Sequence, residues 1–298
     1  MDPSRGRALD FATFLIQCLN SVQYGLLLFL VASGLTLIFG IMGILNIAHG
    51  SFYMMGAYLA FWLTASMGLP FLAMLVVGTL VAVALGYVLE WVFFSYLYRR
   101  GHLQQLLMTY GLILVFEELR GLLVDNDVHG VAAPGWLDGS FALGDIMTYP
   151  VYRIFASLAC IAIAVAMYAL VNRTRLGMMI RAGASNRDMV RGLGININLL
   201  FRWVFAGGVG LAAIAGMIAA PMSSVYPGMG TSVLIVSFVV VVIGGIGSIT
   251  GALVASLLVG FVDTFGNVFF AGYSGMGIYV LMAVILIWRP EGLLGRGY

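Results

Sequence analysis

Long apolar segments run through almost the whole chain and are separated by short polar connections. A helix that spans a membrane needs about 20 mostly apolar residues, because each residue advances a helix by about 1.5 Å. By this measure we count eight or nine apolar segments, at residues 11–39, 52–66, 70–97, 103–124, 151–171, 203–220, 232–246, 252–270 and 276–288. The pattern predicts an all-α polytopic membrane protein in which residues 1–298 form a single transmembrane domain.

The hydrophobic pattern is interrupted between the first two segments. Gly43 and Gly50 break the apolar run there, and Asn46 and His49 add polar side chains. Backbone that is not helical is tolerated at membrane depth only where the surrounding protein satisfies its N–H and C=O groups. We therefore predict a broken or re-entrant helix near residues 40–58.

A second interruption lies between the segments 232–246 and 252–270. It contains Gly245 and Gly247, and glycine favours a turn because it accepts backbone conformations that other residues avoid. We predict a second helix break at this point.

Basic residues are concentrated in one connection. Residues 172–202, which we call the basic segment, hold six of the 14 basic residues and one acid, whereas the connection 125–150 has four Asp and no Arg. Connections rich in basic residues stay on the cytoplasmic side of a membrane. We therefore predict that the basic segment is cytoplasmic, that residues 125–150 are extracytoplasmic, and that the C-terminus, with Arg289 and Arg296, is cytoplasmic.

The side of the N-terminus stays open at this level. Three crossings before Arg99 and Arg100 would leave Arg5 and Arg7 outside, whereas two crossings and a re-entrant piece would leave them inside. The positive-inside rule favours the second alternative weakly, because a short N-terminal arm contributes little to orientation.

Composition supports a membrane protein and excludes several other classes. The chain is 62% hydrophobic and 9% charged, with a mean hydropathy of +1.06, whereas a soluble domain carries about 25% charged residues. A chain without Lys cannot bind ATP through the usual P-loop. Cys18 and Cys160 lie far apart in apolar segments and indicate neither a disulfide nor a metal site. We expect this chain to bind no cofactor and no metal.

His49 forms the densest polar cluster in an apolar region, together with Asn46 and Ser51. Catalysis would need a nucleophile, a base and an orienting carboxylate, and no acid lies in the neighbouring segment. We favour a structural cluster that satisfies the helix break, with direct contact to a substrate as the alternative. No catalytic residue is predicted.

Four acids lie in or near apolar segments. Glu90 is near the predicted inner face, where solvent or an arginine partner would stabilise its carboxylate. Glu117 and Glu118 lie close to Arg120 near the outer face. Asp263 is the deepest, and it fits either the translocation pathway or an interfacial position near a helix end. The candidates for a helix break or a pathway are therefore Asn46, His49, Gly50, Gly245, Gly247 and Asp263.

The basic segment has a local pattern of its own. Ser185 followed by Asp188 fits a capping box at the start of a helix. An earlier short helix over 176–182 would end near Gly183, where glycine can terminate a helix. We predict two short helices at the cytoplasmic surface.

These two short helices are candidates for a docking surface. Arg181 and Arg187 can reach acidic groups of a partner, while Gly177, Ala182 and Gly183 let that partner approach closely. Anchoring to anionic lipid is the alternative, because arginines at the membrane surface have this effect in any protein. The small residues between the arginines favour docking.

Four stretches carry a family resemblance, in order along the chain. They are 34–50; 174–177 with 180–182 and 192–196; 243–252; and 289–295. Together they resemble the LivH-type permeases, which are one of the two membrane subunits of branched-chain amino acid ABC importers. The resemblance runs from residue 13 to the C-terminus.

The resemblance implies a permease domain that works with a second, related permease, two ATP-binding subunits and an extracytoplasmic solute-binding protein. ATP and Mg would be bound by the ATP-binding subunits and not by this chain. The residues that would couple this chain to the ATPase are Arg175, Gly177, Arg181, Ala182, Asn186, Arg187 and Arg191. Asn186 stands where members of this family often carry an acid.

The leading interpretation is a permease subunit of an ATP-driven importer of branched-chain or related amino acids in the bacterial inner membrane. The alternative is an ion-coupled secondary transporter or channel for small polar solutes. That alternative needs a coupling group, for which Asp263 is the best candidate. The resemblance leaves open whether the substrate is leucine, isoleucine or valine, or instead urea, an amide or an aromatic acid, and whether the permeases pair as a homodimer or a heterodimer.

Overall fold

The protein is a bundle of helices with one small β-hairpin. A computed structural model describes residues 3–98, 100–143, 147–270 and 274–295. The elements are α1 (Pro3–Met42), α2 (His49–Ala65), α3 (Phe71–Leu89), which continues through a π-helical turn (Glu90–Phe94) into the short α4 (Ser95–Leu97), α5 (His102–Val124), β1 (Ser140–Leu143), β2 (Met147–Pro150), α6 (Val151–Arg173), α7 (Arg175–Ser185), α8 (Arg187–Gly192), α9 (Ile197–Ala219), α10 (Met229–Gly244), α11 (Ile249–Phe269) and α12 (Ser274–Trp288).

Five helical stretches in the described part of the chain are long and apolar enough to cross a membrane. They are Phe11–Met42, Phe71–Leu97, Val151–Arg173, Ile197–Ala219 and Ile249–Phe269. The predicted multi-pass helical membrane protein is thus confirmed, but the count of eight or nine apolar segments is not. α2 and α10 have only 17 and 16 residues, and α5 carries Glu117, Glu118 and Arg120 in its second half.

Two contacts distinguish the ends of the bundle. Arg153 near the start of α6, just after the hairpin, donates a hydrogen bond to Asn20 Oδ1 of α1 (2.5 Å). Arg187 of α8 donates a hydrogen bond to the carbonyl oxygen of Met42, the last residue of α1. We call these the hairpin end and the basic end. α1 therefore runs from the hairpin end to the basic end.

The next two helices alternate in direction. Phe61 of α2 stacks on His129 of the 125–150 connection, with ring centroids 4.3 Å apart. Phe71 at the start of α3 packs on Tyr152 at the start of α6. α1, α2 and α3 therefore run in alternating directions between the two ends, and α1 begins at the hairpin end. This arrangement agrees with three crossings, and the side of the N-terminus stays a prediction.

α9 lies at the centre of the bundle, against α1, α2 and α3. A side chain at Gly216 would overlap with the carbonyl oxygen of Tyr53, and a Cβ at Gly34 would lie 2.6 Å from the carbonyl oxygen of Gly208. Small residues at such crossings let helices pack closely without a hydrophobic driving force. α9 begins at Ile197, earlier than the expected start at residue 203, because Asn196 caps it by accepting a hydrogen bond from Leu199 N.

The connection 125–150 contains β-structure. The prediction of an all-α protein is therefore wrong at this point. β1 and β2 pair antiparallel, with Ser140 opposite Pro150. His129 also pairs with Val225 in the α9–α10 connection. These hydrogen bonds satisfy backbone groups that no helix satisfies. Asp145, one of the four acids of this connection, lies outside the described residues.

Candidate functional site

The basic segment folds into α7 and α8, and each helix starts at a capping side chain. Thr174 Oγ1 accepts a hydrogen bond from Gly177 N (3.1 Å), and Asn186 Oδ1 accepts one from Met189 N (2.9 Å). The prediction of Ser185 as the second cap is wrong, because Ser185 is still helical and ends α7. Asn186 instead has the extended backbone (φ −152°, ψ 101°) that a capping residue requires.

Gly177 and Gly183 are both buried against the bundle. A Cβ at Gly177 would overlap with the carbonyl of Val171 near the end of α6, and a Cβ at Gly183 would lie 3.2 Å from Ile197 Cδ1 at the start of α9. These glycines therefore let α7 pack on α6 and α9, whereas the sequence had indicated that they make room for a partner.

Arg181 ties α7 to α6. Its Nη1 donates a hydrogen bond to the carbonyl oxygen of Val171, in the last turn of α6. A cation there also offsets the partial negative charge of the helix C-terminus. Arg181 and the neighbouring Ala182 are nevertheless exposed, so both stay accessible at the surface.

Arg187 points into the bundle and caps α1. Its Nη2 donates hydrogen bonds to the carbonyl oxygens of Met42 (2.5 Å) and Ile41 (3.2 Å). Its guanidinium also lies over the ring of Phe201 at 5.2 Å. The last carbonyls of a helix have no partner within the helix, so Arg187 supplies one from 145 residues away. We call this contact the α1 cap.

The outward surface of α7 and α8 is both basic and apolar. Arg175 and Arg191 are exposed. Four apolar side chains share this surface and are exposed as well: Leu176, Met178, Met189 and Leu193. Arginine and methionine are enriched where proteins contact one another, so this surface fits a protein partner with acidic groups around an apolar contact.

The break after α1 is stabilised by its own polar groups. Asn46 Oδ1 accepts a hydrogen bond from Ala48 N (3.1 Å), and His49 Nε2 is hydrogen-bonded to the carbonyl oxygen of Val31 (3.0 Å). Both side chains are fully buried. Asn46 therefore bonds backbone within the break, whereas His49 bonds backbone in the middle of α1.

The same break places the start of α2 inside the bundle. Val31, whose carbonyl oxygen is hydrogen-bonded to His49, precedes the end of α1 by 11 residues. This separation corresponds to about 16 Å along a helix. α2 thus begins about halfway along the crossing. A side chain at Gly50 would overlap with the carbonyl of Gly230 in the first turn of α10, so α2 and α10 start side by side.

The second break follows α10. Gly245 and Gly247 have φ of +94° and +79°, a region that residues with a Cβ avoid. A Cβ at Gly245 would also lie 2.5 Å from the backbone of Gly295. The chain near its C-terminus therefore packs directly on this break.

Backbone groups near the C-terminus cap α10. Leu293 N donates to the carbonyl oxygen of Ile243 (2.8 Å), and Leu294 N donates to that of Gly244 (3.2 Å). We call this contact the α10 cap. It joins the stretches 243–252 and 289–295, which the sequence had singled out separately.

Glu90 has an arginine partner, which was one of the two alternatives that the sequence left open. Arg202 Nε lies 3.3 Å from Glu90 Oε2 in an ion pair, although the two atoms are not aligned as a hydrogen bond. Tyr98 donates its hydroxyl hydrogen to Glu90 Oε1. Burial, together with the Glu90 carboxylate, raises the pKa of Tyr98, so Tyr98 stays a donor. The Glu90–Arg202 pairing was missed because these residues lie on different helices.

Glu117 and Asp263 have partners on their own helices. Arg120 Nε lies 3.2 Å from Glu117 Oε2, one turn away in α5. Asp263 is half-buried in α11 and accepts a hydrogen bond from Asn267 Nδ2 at 3.3 Å. Asp263 therefore remains a candidate for the pathway.

A comparison of this sequence with known protein families identifies the family of the chain. The sequence profile of the permease component of branched-chain amino acid transport systems matches residues 17–287. The chain belongs to this family. The matched range includes both helix breaks, α7 and α8, and confirms the resemblance to LivH-type permeases.

Two relatives match over nearly their whole length, and a third matches over about two thirds of its length. The high-affinity branched-chain amino acid transport system permease protein BraD of Pseudomonas aeruginosa is 33% identical, over 95% of this chain and 96% of BraD. The corresponding protein LivH of Escherichia coli K12 is 30% identical, over 96% of this chain and 97% of LivH. LivM of the same bacterium, also named a permease protein, is 28% identical, over 88% of this chain and 66% of LivM.

Proposed function

We propose that this chain is the membrane-spanning permease subunit of an ATP-driven importer of branched-chain or related amino acids. The observation that carries the proposal is the exposed surface of α7 and α8 on a chain of this permease family. The residues of that surface are available to a partner, while Arg181 and Arg187 connect it to α6 and α1. Movement imposed on α7 and α8 therefore reaches membrane helices directly.

The basic end is the cytoplasmic end in this proposal. It holds α7, α8 and the α10 cap, so the C-terminus is cytoplasmic and the hairpin end is extracytoplasmic. α2, α5, α10 and α12 complete the transmembrane region together with the five helical stretches that are long and apolar enough to cross a membrane. An odd number of crossings places the two termini on opposite sides of the membrane. Nine crossings therefore agree with an N-terminus at the hairpin end and a C-terminus at the basic end.

The assembly contains a second permease, two ATP-binding subunits and an extracytoplasmic binding protein. The similarity of this chain to both LivH and LivM of one bacterium supports a related permease as partner. ATP and Mg are bound by the ATP-binding subunits, which dock on α7 and α8 at the inner bacterial membrane.

The proposal is tested by reconstituting the chain with these subunits in liposomes. Leucine uptake is expected to require ATP hydrolysis, and an ion gradient without ATP should not replace it. Asp263→Asn should leave most of the ATP-driven uptake intact. Concentrative uptake by the chain alone under an ion gradient, abolished by Asp263→Asn, would instead establish an ion-coupled transporter.

The docking surface is tested by reversing one exposed charge. Arg175→Glu should weaken co-purification of the ATP-binding subunits, because the surface would repel acidic groups of the partner. Arg100→Glu is the matched control, since Arg100 is also exposed but lies outside α7 and α8. Equal co-purification of both variants with the wild-type yield would rule out docking at Arg175.

A further inference from the structure

A small apolar pocket lies where α2 and α10 begin inside the bundle. Its volume is about 160 Å³, close to the cavity of about 150 Å³ that binds benzene in another protein. Apolar residues of three helices form most of its wall: Leu27, Leu28, Val31, Ala219 and Val233. A side chain of three or four carbon atoms would fill this space.

The pocket also carries a buried amide group that has only a weak hydrogen-bond partner. Gln23, which is 7% exposed, donates its amide hydrogen to the sulfur of Met222 (3.2 Å), and a thioether is a weak acceptor. Tyr24 and Ser223 line the same pocket. A buried amide with so weak a partner gains by bonding a polar ligand instead.

The pocket opens past its polar residues. Ser223 is exposed and Tyr24 half-buried, whereas Leu27 and Val31 are buried. An apolar floor with polar groups toward its mouth matches an amino acid, whose side chain is apolar and whose ammonium and carboxylate groups lie at one end.

We propose that this pocket is a selectivity site that accepts the aliphatic side chain of the transported amino acid, with Gln23 and Tyr24 facing its charged groups. The inference rests on the proposed function and adds to it, because it assigns part of the selectivity to the permease. One methylene in an apolar pocket changes discrimination by about 10- to 200-fold, so wall size should set the preferred substrate.

The test varies the wall at Val233 and compares substrates. In the complete transporter, with the binding protein saturated by each amino acid in turn, Val233→Phe should lower leucine uptake roughly tenfold and alanine uptake much less. Val233→Ala should raise phenylalanine uptake relative to leucine. Ile235→Phe is the control, because Ile235 is exposed on α10 and does not line the pocket.

The ratio of substrates is the decisive readout, since a structural defect lowers uptake of all substrates alike. An unchanged ratio in both Val233 variants, or an equal change in Ile235→Phe, would overturn the proposal and leave the pocket as a packing gap or a lipid contact. If Val233→Phe does not assemble, Val233→Ala decides alone. Absence of ATP-driven amino acid uptake in the wild-type transporter would instead refute the proposed function.

Discussion

α1 and α10 both end at the basic end of the bundle, and their last carbonyl groups are satisfied in different ways. The α1 cap uses one side chain, Arg187, which belongs to α8 on the exposed surface. The α10 cap uses backbone N–H groups of Leu293 and Leu294. Either arrangement removes unpaired carbonyls from the interior. A side chain on a surface helix can move with a partner, whereas the α10 cap ties the chain to its own C-terminal stretch.

The two caps therefore have different expected roles: the α1 cap transmits movement from α8, and the α10 cap stabilises the fold. α1 is followed by the break that leads to His49 and α2, so displacement of the α1 cap reaches the middle of the bundle. The α10 cap closes over Gly245, which has a positive φ and at which a Cβ would lie 2.5 Å from the backbone of Gly295. We expect changes at the α1 cap to alter coupling and changes at the α10 cap to alter stability.

Gly245→Ala should have the largest effect and should act on folding. A residue with a Cβ held at φ +94° and ψ +130° costs about 1–3 kcal/mol, and the new Cβ would also displace the backbone of Gly295. Thermal unfolding in detergent should show a clearly lower Tm. Gly207→Ala is the control, since a Cβ at Gly207 in α9 meets open space and should leave Tm nearly unchanged.

Arg187→Ala should uncouple transport from ATP hydrolysis. It removes two hydrogen bonds from a charged donor, each contributing about 1.5–3 kcal/mol, and leaves the end of α1 without its link to α8. We expect a fall of roughly tenfold or more in leucine transported per ATP hydrolysed, with the ATP-binding subunits still attached. Arg187→Lys, which keeps a donor, should recover part of the coupling.

Leu293→Pro should have a smaller effect, limited to stability. Proline lacks the N–H that bonds Ile243, and one hydrogen bond contributes about 1 kcal/mol. Tm should fall, while transport per ATP in the folded fraction should match the wild type. Uncoupling as severe as in Arg187→Ala would contradict the distinction between the two caps.

Arg191→Ala should have the smallest effect. Arg191 lies on the same short helix as Arg187 but is exposed, and an exposed charge contributes about 0–1 kcal/mol. Coupling should stay within roughly a factor of two of the wild type, measured in the same assay. A loss equal to that of Arg187→Ala would assign the effect to the positive charge of α8 and not to the α1 cap.

Much of the architecture could be predicted from local patterns. The helices follow the apolar segments, because length and hydrophobicity are properties of consecutive residues. Gly43 and Gly245 lie at the two breaks for a similar reason, since glycine accepts positive φ. Ser185 was chosen wrongly as a cap because Ser and Asn are both good capping residues, and only the backbone conformation separates them.

The sequence by itself determined that this protein is a helical membrane protein with two interrupted helices and one basic segment. It also showed the family resemblance, because that resemblance depends on the order of motifs along the chain. The tertiary structure decided which arginine points inward, that Glu90 pairs with Arg202, and that the C-terminal stretch caps α10. Arg187 and Met42 are 145 residues apart, and no local pattern records such a contact, because the packing of whole helices brings the two residues together.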